Sequence, residues 1–429
     1  MSLVNRVITH IARREFSRTV CFEEGSAPTV PAAKDVKPRL LYMHIPFCER
    51  LCPYCSFNRV VFDPDMGAAY FTALKQEVSL YKKKGYEFSG IYVGGGTPTM
   101  MVDELVDVLS LAKEIFPIRE ISVETNPNHL TEDRLRRLEE VGVNRLSVGV
   151  QSFDDGLLRK MDRYDKYGSG REIAARLSAI RGRFATLNAD MIFNFPTQTM
   201  AMLENDLNIL VGLNIEQITY YPLMVSNSTQ KKVAQTLGDV TYAGEEALYR
   251  RILQRLLPAY RFSSAWCFSQ KGAMIDEYIV DYDEYAGLGS GSIGFLSGTC
   301  YANTFDIPAY IRRVTAGELP VMASRIFSLR DKMLYDFLMK LFGTRLDLGA
   351  LREKFGTSPW PYLWFAVLAF RLSGRVAYRS PVLHLTPKGC YAWVIMMREF
   401  FIAVNNFRDF CRTQTPRETG GAGKGKEDE

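Results

Sequence analysis

Residues 40–55 read Leu-Leu-Tyr-Met-His-Ile-Pro-Phe-Cys-Glu-Arg-Leu-Cys-Pro-Tyr-Cys and contain three cysteines, Cys48, Cys52 and Cys55, within eight positions. The β-rich run that opens this stretch predicts a strand, so three thiolates are expected on one tight loop at the strand's carboxyl end. A structural zinc ion would need a fourth ligand, either His44 or a distant cysteine. Three thiolates also suit a cubane iron–sulfur cluster that leaves one iron open to a non-protein ligand. Buried, unligated thiols are a third alternative.

Short β-rich runs alternate with amphipathic helical stretches between residue 39 and about residue 225, which is typical of successive βα units around a parallel sheet. The predicted strands are residues 40–44, 90–94, 120–124, 145–150, 187–193 and 217–221. The predicted helices between them are residues 66–84, 102–115, 132–141, 171–181 and 202–213. Six units predict an α/β fold of the TIM type, an incomplete (βα)6 barrel rather than a closed eightfold one.

The rest of the chain is predicted to form smaller pieces around this barrel. Helical stretches at 329–342, 346–355 and 360–373 precede a hairpin of 376–378 and 382–385, which predicts a small helical, winged-helix-like accessory domain. The glycine-rich run 287–294 is interpreted as a tight structural turn rather than a phosphate loop. The predicted divisions are 1–38 (N-terminal amphipathic helix and linker), 39–225 (barrel), 226–323 (barrel extension), 324–390 (accessory domain), 391–413 (amphipathic apolar helix) and 414–429 (disordered tail).

Both ends of the chain are amphipathic. Residues 2–18 carry apolar side chains at helical spacing among four arginines, and residues 391–410 are rich in aromatic and aliphatic side chains interrupted by polar ones. Each segment either packs on the protein itself or lies on a membrane surface, and the second is too often interrupted for a spanning helix.

Composition excludes several classes of protein. Of the 429 residues, 47% are apolar and 24% are charged, which is ordinary globular usage and argues against disorder over most of the chain. A net charge of +5 is too thinly spread to predict nucleic acid as a partner. Eight cysteines are too few for a disulfide scaffold, and no export signal is recognised, so a cytoplasmic location is expected, with peripheral contact to the inner face of the membrane as a variant.

The cysteine spacing Cys-x3-Cys-x2-Cys resembles the cluster motif of the radical S-adenosylmethionine (SAM) superfamily, in which an aromatic residue, here Tyr54, precedes the last cysteine. Further stretches resemble the oxygen-independent coproporphyrinogen III oxidase branch of that superfamily (HemN/HemW-like), and they occur in the family's order. They are residues 42–48, 92–99 (Tyr-Val-Gly-Gly-Gly-Thr-Pro-Thr), 124–127, 145–153 and 188–199. The resemblance covers roughly residues 39–390.

The resemblance implies a [4Fe–4S] cluster on Cys48, Cys52 and Cys55, with SAM bound to the open iron. The implied SAM contacts are Tyr42, then Gly95, Gly96 and Thr97 at the methionine end, Glu124 for the ammonium, Arg163 for the carboxylate, and Gln151 and Asp190 for the ribose hydroxyls. An electron from a flavodoxin- or ferredoxin-type donor would cleave SAM to methionine and a 5′-deoxyadenosyl radical, which takes hydrogen from a C–H bond. The expected substrate is a porphyrin or another largely apolar molecule.

One departure affects the reaction that the resemblance implies. Oxidases of this family carry a fourth cysteine two residues after the third, whereas this chain has Phe57. Heme chaperones and related radical methyltransferases or cyclopropanases of the family share this departure. Coproporphyrinogen oxidation, C-methylation and heme delivery therefore remain alternatives, and a purely structural or electron-transfer cluster is a further one.

Overall fold

The computed structural model describes residues 3–19, 29–270 and 278–414. Its centre is a sheet of six parallel strands, which we label β1 to β6. Their bounds are Leu40–Ile45, Gly90–Gly95, Glu120–Thr125, Arg145–Gln151, Thr186–Phe193 and Gln217–Pro222. Each strand pairs in parallel with the next, so all six carboxyl ends lie at one edge. The six predicted strands are confirmed to within one residue at either end, because near-continuous apolar runs bury both faces of a parallel sheet.

Helices connect these strands. The long ones are Pro64–Lys83, Val102–Ile115, Glu132–Glu140, Gly170–Ala179 and Met200–Leu213, and the short ones are Pro98–Met101, Pro127–His129, Asp155–Lys160 and Tyr164–Tyr167. Two of the long helices begin two residues before the predicted position. In the first, the Asp63 side chain accepts a hydrogen bond from Met66 N and Pro64 opens the helix. In the second, the Thr199 side chain accepts from Met202 N. Such caps satisfy the otherwise unpaired amides at a helix start.

Six more strands extend the sheet to twelve. The first and last strands of this sheet do not pair with each other, so the barrel does not close, as predicted. Beside β1 lie Tyr285–Leu288, Ile293–Leu296, Thr299–Asn303 and Val321–Ile326, and beside β6 lie Cys267–Ser269 and Arg261–Phe262. The run 287–294 forms the turn between two of these strands, as predicted. Gly289 lies there at φ +90°, where an added Cβ would stand 2.5 Å from the carbonyl oxygen of His44. Only glycine allows this close approach.

Several shorter elements complete the region around the sheet. They are the paired strands Phe47–Cys48 and Val60–Val61, and the helices Asn227–Thr236, Glu245–Leu256, Tyr278–Asp281 and Ile307–Thr315.

The C-terminal region contains helices Leu329–Phe342, Leu348–Phe355 and Trp360–Leu372 around a three-stranded antiparallel sheet of Arg345–Asp347, Val382–Leu385 and Val376–Arg379. The predicted helix 346–355 therefore started too early. Leu346 pairs with Leu383 in the small sheet, and the Asp347 side chain accepts a hydrogen bond 2.8 Å from Gly349 N. A capping aspartate ends the strand and begins the helix.

The two terminal helices lie against each other. The N-terminal helix, Leu3–Thr19, contacts the C-terminal helix, Pro387–Gln414, and Arg13 Nε donates to Glu399 Oε2 at 2.9 Å. The predicted segment 391–410 belongs to this longer helix, which runs through the predicted boundary at residue 390. The predicted linker is described only from residue 29 onward, and the predicted tail beyond residue 414 lies outside the described residues.

None of the helices in the described part of the chain has the length and apolar character that crossing a bilayer requires.

Candidate functional site

A cavity of about 360 Å³ lies where the carboxyl ends of the six parallel strands meet. All the residues predicted to bind the cluster or SAM line it: Cys48, Cys52, Cys55, Tyr42, Gly95, Gly96, Thr97, Glu124, Gln151, Arg163 and Asp190. They come from five strands and the loops that follow them. The topology thus brings together side chains that are up to 148 positions apart in the chain, Tyr42 and Asp190 being the extremes.

The guanidinium of Arg59 holds the cysteine loop in a folded conformation. Cys48 lies in a two-residue strand that pairs with Val60–Val61, and Phe62 N donates to the Cys48 carbonyl at 2.9 Å. Between these points the Arg59 guanidinium donates to the carbonyls of Cys52 and Cys55 at 2.7 and 2.6 Å. One side chain thereby closes the loop and turns all three thiols to the cavity.

The Cys48 thiol needs a compensating positive charge to ionise. Burial, and then the neighbouring Cys55 thiolate, raise the pKa of the Cys48 thiol to about 11. The hydroxyl of Thr97 donates to Cys48 Sγ at 3.8 Å, and Arg163 Nη1 lies 3.8 Å from Cys52 Sγ. Bound iron supplies the larger charge that holds thiolates deprotonated.

The glycine loop after β2 leaves room beside the cysteines. At Gly96 an added Cβ would stand 2.9 Å from Cys48 Sγ and 2.6 Å from the Phe47 carbonyl, while Gly95 has φ +122°. Any other side chain would fill the space between the two loops. Among the described residues, no three His, Cys, Asp or Glu side chains converge as the ligands of a single ion would. A cubane does not require the three thiols to converge on one ion, because each thiolate binds a different iron.

Glu124, at the end of β3, is held by two donors. Tyr92 OH donates to one carboxylate oxygen at 2.8 Å, and Gly95 N donates to the other at 3.2 Å. Burial, with a smaller contribution from Asp190, raises the pKa of Glu124 to about 7. A carboxylate in this environment gains from a cationic partner, which is what the predicted contact with an ammonium group requires.

Gln151 and Asp190 lie side by side on β4 and β5. Gln151 has φ +75°, and the pairing register shifts at this point, so a bulge ends the strand and aims the side chain into the cavity. The Asp190 carboxylate accepts from Ser147 Oγ at 2.7 Å and from Asn188 Nδ2 at 2.8 Å. Both side chains are placed where hydroxyl groups of a ligand can be bound.

Arg163 is almost completely buried against the cysteine loop. Its guanidinium lies 4.2 Å from the centre of the Tyr167 ring and donates to Tyr54 OH at 3.4 Å and to the Gly149 carbonyl. Within the described part of the chain its Nε has no hydrogen-bond partner. A buried, unsatisfied donor on a cation favours an anionic ligand at this point.

His44 has a structural environment. The Asn58 carbonyl accepts from its Nε2 at 2.7 Å, so Nδ1 is the acceptor for Tyr42 OH at 2.9 Å. The ring is fully buried and links β1 to the segment after the cysteines. It therefore orients Tyr42, which lines the cavity.

The other end of the cavity is apolar, and sequence reasoning missed it. Its lining includes Trp266, Ile293, Phe295, Phe327, Tyr335 and Met339, and the C-terminal helix adds Phe400, Phe401, Val404, Asn405 and Arg408. The available signal was the set of polar residues that interrupt this otherwise apolar helix. Buried polar groups are uncommon unless they have a partner or a role, so these residues could have indicated that the helix lines a site.

Arg408 is a buried cation in this apolar part. Asn405 Oδ1 accepts from its Nη1 at 2.9 Å, and its guanidinium lies 5.3 Å from the centre of the Phe57 ring. Its Nε has no hydrogen-bond partner among the described residues. Burial lowers the pKa of the guanidinium. The C-terminal helix thus lines the cavity and adds a positive charge next to the segment that follows the cysteine loop.

Several known proteins are similar to this chain in sequence. Residues 42–210 match the radical SAM superfamily. The heme chaperone HemW of Bacillus subtilis (strain 168) is 29% identical over 331 residues, which cover 73% of this chain and 85% of that protein. An oxygen-independent coproporphyrinogen III oxidase of Bradyrhizobium diazoefficiens is 28% identical over 346 residues, covering 74% of this chain and 76% of that protein.

The fold agrees as well. A solved structure described as coproporphyrinogen III oxidase (HemN) from Escherichia coli, a radical SAM enzyme, is similar with a TM-score of 0.71 at 22% identity, covering 90% of this chain and 93% of that one. This likeness concerns the fold. The residues of the cavity also fit both cofactors, since three thiols, a glycine cradle and an unsatisfied buried cation face one space. Residues 42–210 therefore form a radical SAM domain, with a [4Fe–4S] cluster and SAM as cofactors, and the chain resembles the oxygen-independent coproporphyrinogen III oxidases and the heme chaperones named HemW.

Proposed function

We propose that this protein is a radical SAM enzyme that removes hydrogen from a C–H bond of a porphyrin or another largely apolar substrate, similar to oxygen-independent coproporphyrinogen III oxidase. The observation that carries the proposal is the single cavity in which the three thiols and the SAM-binding candidates meet a chamber of aromatic side chains. A radical site needs its substrate next to the cofactor and shielded from water, and this cavity offers both.

The chain's own residues have separate tasks in this proposal. When bound, the reduced cluster supplies the electron that cleaves SAM. Cys48, Cys52 and Cys55 hold the cluster, and the backbone at Gly95 and Gly96 allows the ligand to approach closely. Glu124 binds the ammonium of SAM and Arg163 its carboxylate, as charge-assisted hydrogen bonds. Gln151 and Asp190 bind the ribose hydroxyls. A flavodoxin- or ferredoxin-type protein is the proposed electron donor.

The apolar chamber supports a sizeable substrate with little polarity. Trp266 packs edge-on against Phe342, 4.7 Å between ring centres, and Phe295 lies 5.0 Å from Tyr335. These rings form rigid walls, because aromatic pairs of this kind are stabilised by both packing and electrostatics. The C-terminal helix contributes Phe400, Phe401 and Val404 to the lining, which makes the surface that a substrate would meet more apolar.

A second candidate function is heme delivery. The relative with 29% identity is named a heme chaperone, and this chain has Phe57 at the position of the oxidases' fourth cysteine. Phe57 lines the cavity and is half-exposed, so it widens the apolar surface next to the cysteine loop. A radical C-methyltransferase, which would share this departure, is the third possibility that the same experiment separates.

The test is anaerobic reconstitution of the full chain with iron and sulfide, followed by incubation with SAM, a low-potential reductant and one candidate substrate. Coproporphyrinogen III, heme and a membrane lipid extract are tested separately, and products are quantified by mass spectrometry. Substrate-dependent 5′-deoxyadenosine supports hydrogen abstraction, and additional S-adenosylhomocysteine indicates methyl transfer. A heme spectrum without substrate-dependent 5′-deoxyadenosine would contradict the proposal and favour delivery.

A further inference from the structure

The outward face of the helix Trp360–Leu372 is apolar along its whole length. Its exposed side chains, which we call the outer stripe, are Trp360, Pro361, Trp364, Phe365, Leu368, Ala369 and Leu372. Phe365 is 70% exposed and Leu372 is 80% exposed. Their spacing follows the turns of a helix and forms one continuous strip. Contiguous apolar strips of this kind on a protein surface mark interaction sites rather than chance exposure.

The fold makes little use of the outer stripe. The opposite face of the same helix buries Leu363 and Val367, and Phe370 lies 4.9 Å from the Trp393 ring and 6.3 Å from the Phe337 ring. These contacts attach the helix to the rest of the protein. Within the outer stripe, Trp360 packs edge-on against Tyr378 with 5.8 Å between ring centres, whereas Phe365 and Leu372 are mostly exposed and add little to the burial that holds the helix in place.

Basic residues flank one end of the outer stripe. Arg371 and Arg379 are exposed at the end of the helix and on the following strand. Between residues 352 and 379 the chain has five basic residues and one acidic residue, and none of them lies between 360 and 370. Tryptophan, phenylalanine and leucine on one face with basic residues at the margin are the features of helices that lie in a lipid interface.

We propose that the outer stripe docks this protein on a lipid surface that carries anionic headgroups. The aromatic and aliphatic side chains would enter the headgroup and acyl boundary, while Arg371 and Arg379 meet the negative surface. A second copy of this chain is a poorer occupant. In a twofold contact the same patch faces itself, so each cationic margin would meet its equivalent or lie beside it without an acidic partner.

This surface differs from the two segments whose sequences suggested membrane contact. The N-terminal helix leaves Val7 and Ile11 exposed, but it packs on the C-terminal helix and is held there by Arg13 and Glu399. The C-terminal helix uses its aromatic residues to line the cavity. The outer stripe, in contrast, is both continuous and uncovered.

The position of the outer stripe relates it to the cavity. Its helix packs on Leu329–Phe342, and the latter presents Tyr335 and Met339 to the cavity. One layer of helix therefore separates the proposed lipid surface from the apolar chamber. A corollary is that the substrate is taken from the lipid surface. This corollary rests on the proposed function, whereas the docking proposal does not.

Vesicle flotation tests the docking without any turnover. Full-length, cluster-containing protein is mixed anaerobically with vesicles of phosphatidylcholine alone or with one quarter phosphatidylglycerol. We expect flotation with the anionic vesicles and several-fold less with the neutral ones. The triple variant W364S/F365S/L368S is expected to bind the anionic vesicles at least about tenfold less than the wild type. The double variant R371E/R379E is expected to lose about fivefold in binding for each arginine that is replaced. The matched control V7S/I11S removes exposed apolar side chains from the N-terminal helix and is expected to float like the wild type.

Tryptophan fluorescence provides an independent readout. The chain has four tryptophans, and Trp266 and Trp393 are fully buried, so lipid brominated in its acyl chains can quench only Trp360 and Trp364 from outside. Quenching that W360F/W364F abolishes without loss of flotation supports the proposal. Absence of flotation, equal binding by the triple or charge variants, or loss of binding in V7S/I11S would each overturn it. So would a wild-type dimer in sedimentation that the triple variant makes monomeric, since that outcome identifies a second copy as the occupant.

Discussion

The guanidinium of Arg408, near the end of the C-terminal helix, lies 5.3 Å from the centre of the ring of Phe57, just after the cysteine loop. The two residues come from opposite ends of the chain, and both line the cavity. Their contact joins the C-terminal helix to the segment that follows the thiols. It also places a buried positive charge beside the position at which related oxidases carry a fourth cysteine.

Because this charge is buried, we predict that Arg408→Met lowers activity without lowering stability. Burial lowers the pKa of the guanidinium, and none of the residues that the structure describes accepts a hydrogen bond from its Nε, so the charge is costly in the folded protein. We expect an unchanged or higher melting temperature, unchanged iron content, and a loss of substrate-dependent product of at least about tenfold, as for removal of a buried charge contact. Calorimetry and the product assay check the two effects.

Arg398→Met is the matched control on the same helix. Arg398 is equally buried but forms ion pairs with Glu245 and with Glu399, the second at 2.9 Å. Removing one partner of a buried pair leaves the others uncompensated and costs about 3–5 kcal/mol of unfolding free energy. If Arg408→Met destabilised the protein as strongly as Arg398→Met, the assignment of a functional charge to Arg408 would be wrong.

Cys52→Ala is expected to abolish cluster binding, because only two cluster ligands of the loop remain. Iron and sulfide per chain after anaerobic reconstitution should fall at least about tenfold, with loss of the visible absorption of the cluster. Cys300→Ala is the control, since Cys300 also lines the cavity but lies outside the motif. Equal iron in both variants would contradict the assignment of Cys52 as a ligand.

SAM binding is expected to strengthen as the pH rises through about 7. Burial raises the pKa of Glu124 to about 7, so its carboxyl is mostly protonated at pH 6 and mostly ionised at pH 8. Only the ionised form pairs with the ammonium of SAM, and the α-amino group of SAM itself loses its proton near pH 8, so the affinity is expected to be about fourfold higher at pH 8 than at pH 6. Equilibrium binding with reconstituted protein measures it. Glu124→Gln should bind weakly with no such pH dependence, and a wild-type profile in that variant would refute the pairing.

Gly96→Ala is expected to damage the site through one methyl group. The added Cβ would stand 2.9 Å from Cys48 Sγ and 2.6 Å from the Phe47 carbonyl, so the glycine loop and the cysteine loop must separate. Iron content and SAM affinity should both fall several-fold. In Gly212→Ala the new Cβ meets nothing within 4 Å inside a helix, and a gain of about 0.5–1 kcal/mol in unfolding free energy is expected.

Local patterns were sufficient for the barrel. The strand from Leu40 to Ile45 and its five equivalents are runs of apolar residues followed by turn signals, and their parallel order follows from the helices between them. Once the strands are parallel, Glu124, Gln151 and Asp190 must meet at one edge. The error at Leu346 has a local cause as well, since a three-residue strand is too short to show a period.

Short-range periodicity was enough to predict the six βα units, and the common direction of parallel strands then predicted that the residues singled out by the family resemblance would meet at one edge. The contact of Arg408 with Phe57, the place of the C-terminal helix in the cavity lining and the exposure of the outer stripe emerged only from the assembled fold. An apolar helix has the same sequence pattern whichever surface it faces. Which of its sides is buried depends on packing between residues far apart in the chain, which only the assembled fold establishes.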